Sequence, residues 1–215
     1  MKGCRIGDQL ASCTRREAAA ALEALAKLHS RWWNHPQLDD SAAWLPGHGD
    51  PYFDIARTAI VDAFDPFIEM WGDAIPDETM RIVLADKENM MFTNNGDSDS
   101  VAVIDWQIGM RTNPTFDVIY FIAGNFTPAF RRENERDLVE GCHQALMDGG
   151  VSDYPIEQCW TDYRVSAIVL LSYSIFSVAN IDLDEVNDRG KKLFEAVFDR
   201  YMKAIVELES FSLIT

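Results

Sequence analysis

A single change of hydrophobic period restricts the fold of this 215-residue chain more than any other feature. Almost everywhere, apolar residues recur three and four positions apart, the pattern of helices that bury one side. Only residues 81–107 depart from it. Arg81 to Leu84 is short and aliphatic, Asn89 to Thr93 is mostly apolar, and Val101 to Trp106 is β-branched and apolar. Asn94-Asn95-Gly96-Asp97 between them is a strong turn signal. The expectation is an α+β, mostly helical chain with one small β-hairpin region. It forms one domain over residues 1–215, helical at 14–80, β at 81–107 and helical again at 115–209.

Thr14 followed by Glu17 is a capping box, and Ala18, Ala21, Leu22, Leu25, Leu28 and Trp32 recur behind it at helical spacing. A helix from Thr14 to about Trp33 follows. Residues 34–51, with Pro36, Pro46, Gly47 and Gly49, form a connecting loop. A second helix starts near Tyr52 and carries Ile55, Ala59, Ile60, Ala63, Phe64, Phe67 and Trp71, with Pro66 placed to kink or divide it. After the β-region come helices near Phe116–Gly124, Phe130–Asp148, Ile156–Ile181 and Leu183–Leu208, punctuated by Gly149-Gly150 and by residues 182–185. The uncharged stretch Val165–Ile181 is broken by serines and Asn180 and is slightly short of a bilayer span, so it is expected to be a buried helix, with no membrane partner.

Charge narrows the partners. Thirty-five acidic against nineteen basic side chains leave a formal charge of −16, so a nucleic-acid surface would work against the protein's own field. The segment Met1 to Asp8 has no apolar core of the secretory kind, so by default the chain is expected in the cytoplasm. Cys4, Cys13, Cys142 and Cys159 lack the short paired spacing of a zinc or redox site and are expected to be small, mostly buried thiols.

The chemistry concentrates at the ends of the β-region. Asp86 follows its first short strand, and Asp105 closes its last, in Val101-Ala102-Val103-Ile104-Asp105-Trp106-Gln107. A hairpin brings those ends near each other. Two readings of the acids stand on spacing alone: turn or cap residues, or two carboxylates converging beside Asn89 as a seat for a magnesium ion and a phosphate. His48-Gly49-Asp50 lies in a Pro/Gly loop and is expected to be a turn into the next helix. His29, on or beside the apolar side of its helix, is expected to be a hydrogen-bonded structural histidine. Trp32, Trp33, Trp71, Trp106 and Trp160 are expected in packing contacts rather than in a ligand box.

The succession of strand, Asp86, Asn89, apolar strand, turn, strand ending Ile104-Asp105-Trp106-Gln107, then Asn113-Pro114-Thr115-Phe116-Asp117 opening a helix resembles the catalytic half of the aminoglycoside phosphotransferase and choline-kinase-like superfamily. It is most similar to the ecdysteroid-kinase-like, or CHK-kinase-like, branch. Gly7-Asp8-Gln9 and the helix holding Leu25-Ala26-Lys27-Leu28-His29 resemble the hinge and first helix of that family's C-terminal lobe. The resemblance implies a protein-kinase-like C-terminal lobe that passes the γ-phosphate of ATP to a hydroxyl of a small molecule. By the same resemblance, Asp86 is the catalytic residue that orients or deprotonates the acceptor. Asn89 and Asp105 bind Mg2+ and, through it, the nucleotide. Asp117 buttresses the catalytic loop, a role compatible with its being a helix N-cap.

The chain departs from that family in two ways. The kinase catalytic loop places its metal-binding Asn five residues after the catalytic Asp, whereas here that position is Met91 and Asn89 comes three after Asp86. Two missing residues correspond to as much as about 7 Å of extended chain. Fixing the register on Asn89 instead puts Leu84 at the catalytic position. In addition, no glycine-rich phosphate loop and no strand lysine precede Thr14, so the N-terminal lobe is expected to be absent. The expectation is therefore a phosphotransferase-family protein with impaired chemistry. The alternatives are a non-catalytic kinase-like binding or regulatory module and, less favoured, an unrelated helical scaffold whose hairpin is only a tether. An uncovered cleft would expose apolar surface, which favours a homodimer or a separate N-lobe partner.

Overall fold

A computed structural model describes residues 8–47, 49–75, 110–180 and 185–213. The expected β-region at 81–107 lies outside the described residues. Those described are mostly helical, with almost no strand. In chain order the helices are α1 (Arg15–Trp32), α2 (Pro51–Trp71), α3 (Thr115–Asn125), α4 (Pro128–Asp148), α5 (Ile156–Asn180) and α6 (Asp188–Glu207). Short 3-10 turns occupy Pro36–Asp39, Gly72–Ala74 and Ser210–Leu213.

Local chemistry sets where the helices start. The Thr14 hydroxyl accepts from the Glu17 amide, and the Glu17 carboxylate accepts from the Thr14 amide at 2.9 Å, so the capping box opens α1 as expected. Thr127 caps α4 and Pro128 takes its first position, where a missing N–H costs nothing, so the helix starts two residues before Phe130. For α6 the expected start at Leu183 is corrected to Asp188: the Asn187 side chain accepts from the Gly190 amide at 2.9 Å and fixes the boundary there. Helix α2 runs through Pro66 without being divided.

Helix α1 packs on α4, and α5 lies between α2, α3 and α6. The buried side of α1 is Ala18, Leu22, Ala26 and His29, small enough to let the α4 backbone approach, with Cys142 of α4 against the Leu22 carbonyl. Ala167, Leu170, Leu171 and Ile175 of α5 are completely buried, as its weakly polar sequence requires. Its serines do not disturb this, because Ser174 and Ser177 donate to the carbonyls of Leu170 and Tyr173 one turn back, at 3.0 and 2.8 Å. No described helix is long and apolar enough to cross a membrane. Phe67 and Trp71 of α2 meet Phe198 of α6, with ring centroids 5.7 and 4.8 Å apart. Trp33 packs on Tyr154, and Trp160 stacks on Tyr163, so these tryptophans serve packing.

One buried polar junction was not expected. Arg131 of α4, 1 % exposed, contacts Glu135 at 2.6 Å and also Glu207 at the end of α6. The Tyr163 hydroxyl of α5 donates to Glu135 at 3.2 Å, so three helices meet at the Arg131–Glu135 pair. Burial raises the Glu135 carboxyl above its ordinary range, with Arg131 pulling the other way.

Candidate functional site

Of the four candidate site residues, Asp86, Asn89 and Asp105 lie outside the described residues, and Asp117 is described. The local sequence places Asp117 in the first turn of α3. Asn113 Oδ1 accepts from the Thr115 amide at 2.9 Å and from the Thr115 hydroxyl at 2.6 Å, closing the turn ahead of the helix. Pro114 holds the cap position, so the N-cap reading of Asp117 is corrected: the turn is already closed by Asn113. The Asp117 carboxylate reaches α1 instead, where His29 Nε2 donates to Oδ2 at 3.0 Å. His29 is completely buried, as a structural histidine should be, and the carboxylate selects the tautomer that carries its proton on Nε2. Nδ1 has no partner among the described residues. A void of about 10 Å³, with space for one water at most, lies between His29, Thr115, Cys142 and Cys159.

The residues just before Asp117 are held by α5. Asn113 Nδ2 donates to Asp162 Oδ2 at 2.7 Å. The same carboxylate accepts from Tyr154 at 2.8 Å and from Gln158 at 2.6 Å. The Thr115 hydroxyl already donates to Asn113, so its 2.9 Å contact with Ser166 has the serine as donor. A little upstream, the Arg111 amide donates to the Pro46 carbonyl at 2.8 Å, giving an isolated parallel bridge with Gly47. The Arg111 guanidinium pairs with Asp39 at 3.1 Å. A backbone that follows Ile104-Asp105-Trp106-Gln107 by a few residues is therefore tied to α1, to α5 and to the loop before α2.

His48-Gly49-Asp50 behaves as a turn where it is described. The Asp50 carboxylate accepts from the Gly47 amide, the Asp50 amide donates to the Gly47 carbonyl at 3.0 Å, and Gly49 has φ +94°. Pro51 then opens α2. His48 lies outside the described residues. Cys142 and Cys159 are buried thiols whose pKa values burial pushes up to about 12 and about 11, which keeps them protonated and poor nucleophiles. Among the described residues no three His, Cys, Asp or Glu side chains are grouped to hold a metal ion. The three proposed ion-binding and catalytic positions are not among those residues.

Spacing gave no sign of a second feature. Between α3, α5 and α6 lies a cavity of about 310 Å³, walled by Tyr120, Tyr173, Tyr201, Phe194 and Phe198. The three tyrosines come from three helices and share no motif. Only the contacts reveal them, with Tyr120 about 6 Å from both Tyr173 and Tyr201, ring centre to ring centre.

Comparison with curated proteins and with solved structures gave no match. Residues 85–150 match the ecdysteroid kinase-like family, a span that holds Asp86, Asn89, Asp105 and Asp117 together with the whole of α3 and α4.

Proposed function

We propose that this chain is a kinase-like phosphotransferase with a protein-kinase-like C-terminal lobe, descended from enzymes that move the ATP γ-phosphate to a hydroxyl of a small molecule in the cytoplasm. The observation that carries the reading is the family match, which includes all four residues named from the sequence. In it Asp86 orients the acceptor hydroxyl, and Asn89 and Asp105 hold Mg2+ against the nucleotide phosphates, supplying charge neutralisation during transfer. Asp117, fixed by buried His29, supports the backbone leading out of that loop. Such support suits a reaction in which catalysis is mostly positioning. Self-association, or a separate nucleotide-covering partner, would complete the site.

One observation favours a second reading. Asn89 follows Asp86 by three residues where the family's chemistry uses five, so the same fold serves as a non-catalytic binding or regulatory module.

Calorimetry with Mg-ATP separates the two. On the kinase reading the full chain gives a saturable heat that Asp105→Ala abolishes. Nucleotide at ten times its dissociation constant adds about 1.4 kcal/mol of stability, a rise of about 3–6 °C in Tm for a chain of this size. Neither heat nor thermal shift at millimolar Mg-ATP leaves the non-catalytic module.

A further inference from the structure

The cavity between α3, α5 and α6 has the composition of a ligand site. Its volume of about 310 Å³ is at the lower end of the range for small-molecule pockets. Five aromatic rings line it, and its polar side chains are the hydroxyls of three tyrosines and two serines and the carboxamide of Gln9. Ser174 and Ser177 spend their protons on their own helix, at 3.0 and 2.8 Å, so their oxygens face the cavity as acceptors. Tyr201 reaches the wall because Gly124 has no side chain: a Cβ there would lie 3.3 Å from the Tyr201 hydroxyl. Burial pushes the Tyr173 phenol up to about 12 and raises that of Tyr201, so both stay protonated and neutral.

Among the described residues, no Asp, Glu, Lys, Arg or His lines the cavity. Two of the charges next to lining residues in sequence, Asp8 and Arg189, pair with each other at 3.0 Å. An ionic ligand would give up its hydration without a counter-charge, whereas a ring system finds faces to stack on and a hydroxyl finds acceptors.

We propose that this cavity binds a neutral molecule of one or two fused rings bearing a hydroxyl group, its rings against Tyr173, Phe194 and Phe198 and its hydroxyl within reach of Ser177. The inference goes beyond the phosphotransfer reading and needs neither nucleotide nor metal.

The probe is 2-naphthol, titrated into the full chain without Mg2+ or ATP and followed by calorimetry and by tryptophan fluorescence. Trp71 is a built-in reporter, since it packs behind the wall on Phe194 and Phe198 at 5.8 and 4.8 Å. One saturable site is expected. Ser177→Phe fills the space from a half-buried position and should weaken binding at least tenfold while leaving the melting temperature unchanged or higher. Ser177→Ala keeps the shape and removes the acceptor, for a loss of about three- to tenfold. Should Ser177→Phe fail to fold, Leu193→Phe on the facing helix blocks the same space. The proposal is overturned by the absence of saturation up to the solubility limit, by equal affinity in the space-filling variant, or by naphthalene-2-sulfonate binding as tightly as 2-naphthol.

Discussion

Asp117→Ala tests the link between α1 and α3 quantitatively. His29 is completely buried, its one hydrogen bond among the described residues goes to Asp117 at 3.0 Å, and Nδ1 has no partner among them. Removing the carboxylate leaves the ring with no partner on either nitrogen among the described residues. An orphaned buried polar group costs about 1–3 kcal/mol, and a hydrogen bond to a charged group contributes about 1.5–3 kcal/mol, so the overlapping effects amount to about 2–4 kcal/mol. Unfolding entropy scales with length and is about 0.45 kcal/mol/K for 215 residues, which converts this to a fall of about 4–9 °C in Tm. The partner substitution should cost less. His29→Leu continues the apolar row of Ala18, Leu22 and Ala26, and Asp117, whose side chain is 14 % exposed in the first turn of α3, keeps some water and the favourable end of the helix dipole. The double variant should then be more stable than the sum of the single effects by about 1–2 kcal/mol. Asp117→Asn, whose amide oxygen still accepts from Nε2, should recover most of the loss. Urea and thermal melts at pH 7 give these values. A fall below 2 °C for Asp117→Ala, or strict additivity in the cycle, would show that the bond does not hold the helices together.

Arg131→Met should cost about 3–5 kcal/mol at neutral pH, because it leaves Glu135 buried without its cation. The folded-state pKa of Glu135 is already above the ordinary value and rises further in the variant. Proton uptake therefore favours the folded state below that pKa and is lost as pH rises through it, so the deficit should be largest at high pH and shrink in acid. A deficit independent of pH would contradict this, and Arg131→Met with Glu135→Gln should regain stability over Arg131→Met alone. Gly149→Ala would set a methyl 2.3 Å from Ser30 Oγ and 2.4 Å from Ser30 Cβ, so it should lower stability by about 1–3 kcal/mol. The same change in a Ser30→Gly background should cost clearly less, and equal costs would mean that the two helices adjust freely.

The legible parts of the fold were those that short-range chemistry decides. The Thr14–Glu17 box and the buried reading of the Val165–Ile181 stretch, met where it is described by Ala167, Leu170, Leu171 and Ile175, needed no knowledge of the rest of the chain. The start of α6 was missed because Leu183 fits the apolar period, while the competing signal, the Asn187 side chain turned onto Gly190, is a single hydrogen bond. Arg131 and Glu135 stand four apart on one helix, so their pairing was visible; their burial was not, because it depends on Glu207 and Tyr163 arriving from two other helices. At the candidate site, His29 was readable as structural from the apolar residues around it, but its partner was not. The cap role considered for Asp117 went to Asn113, since both residue types close turns and only the fold decides between them. The aromatic cavity was out of reach for the same reason, being formed by tyrosines far apart in the chain.

The pairing of α1 with α4 and of α2 with α5 also bears on synthesis. The first two helices are finished by residue 71, whereas their partners begin at residues 128 and 156. On a ribosome adding about 5–20 residues per second, the nascent Leu22 and Phe67 faces would wait several seconds for cover. Until those partners emerge, the early helices are natural clients for a holding chaperone.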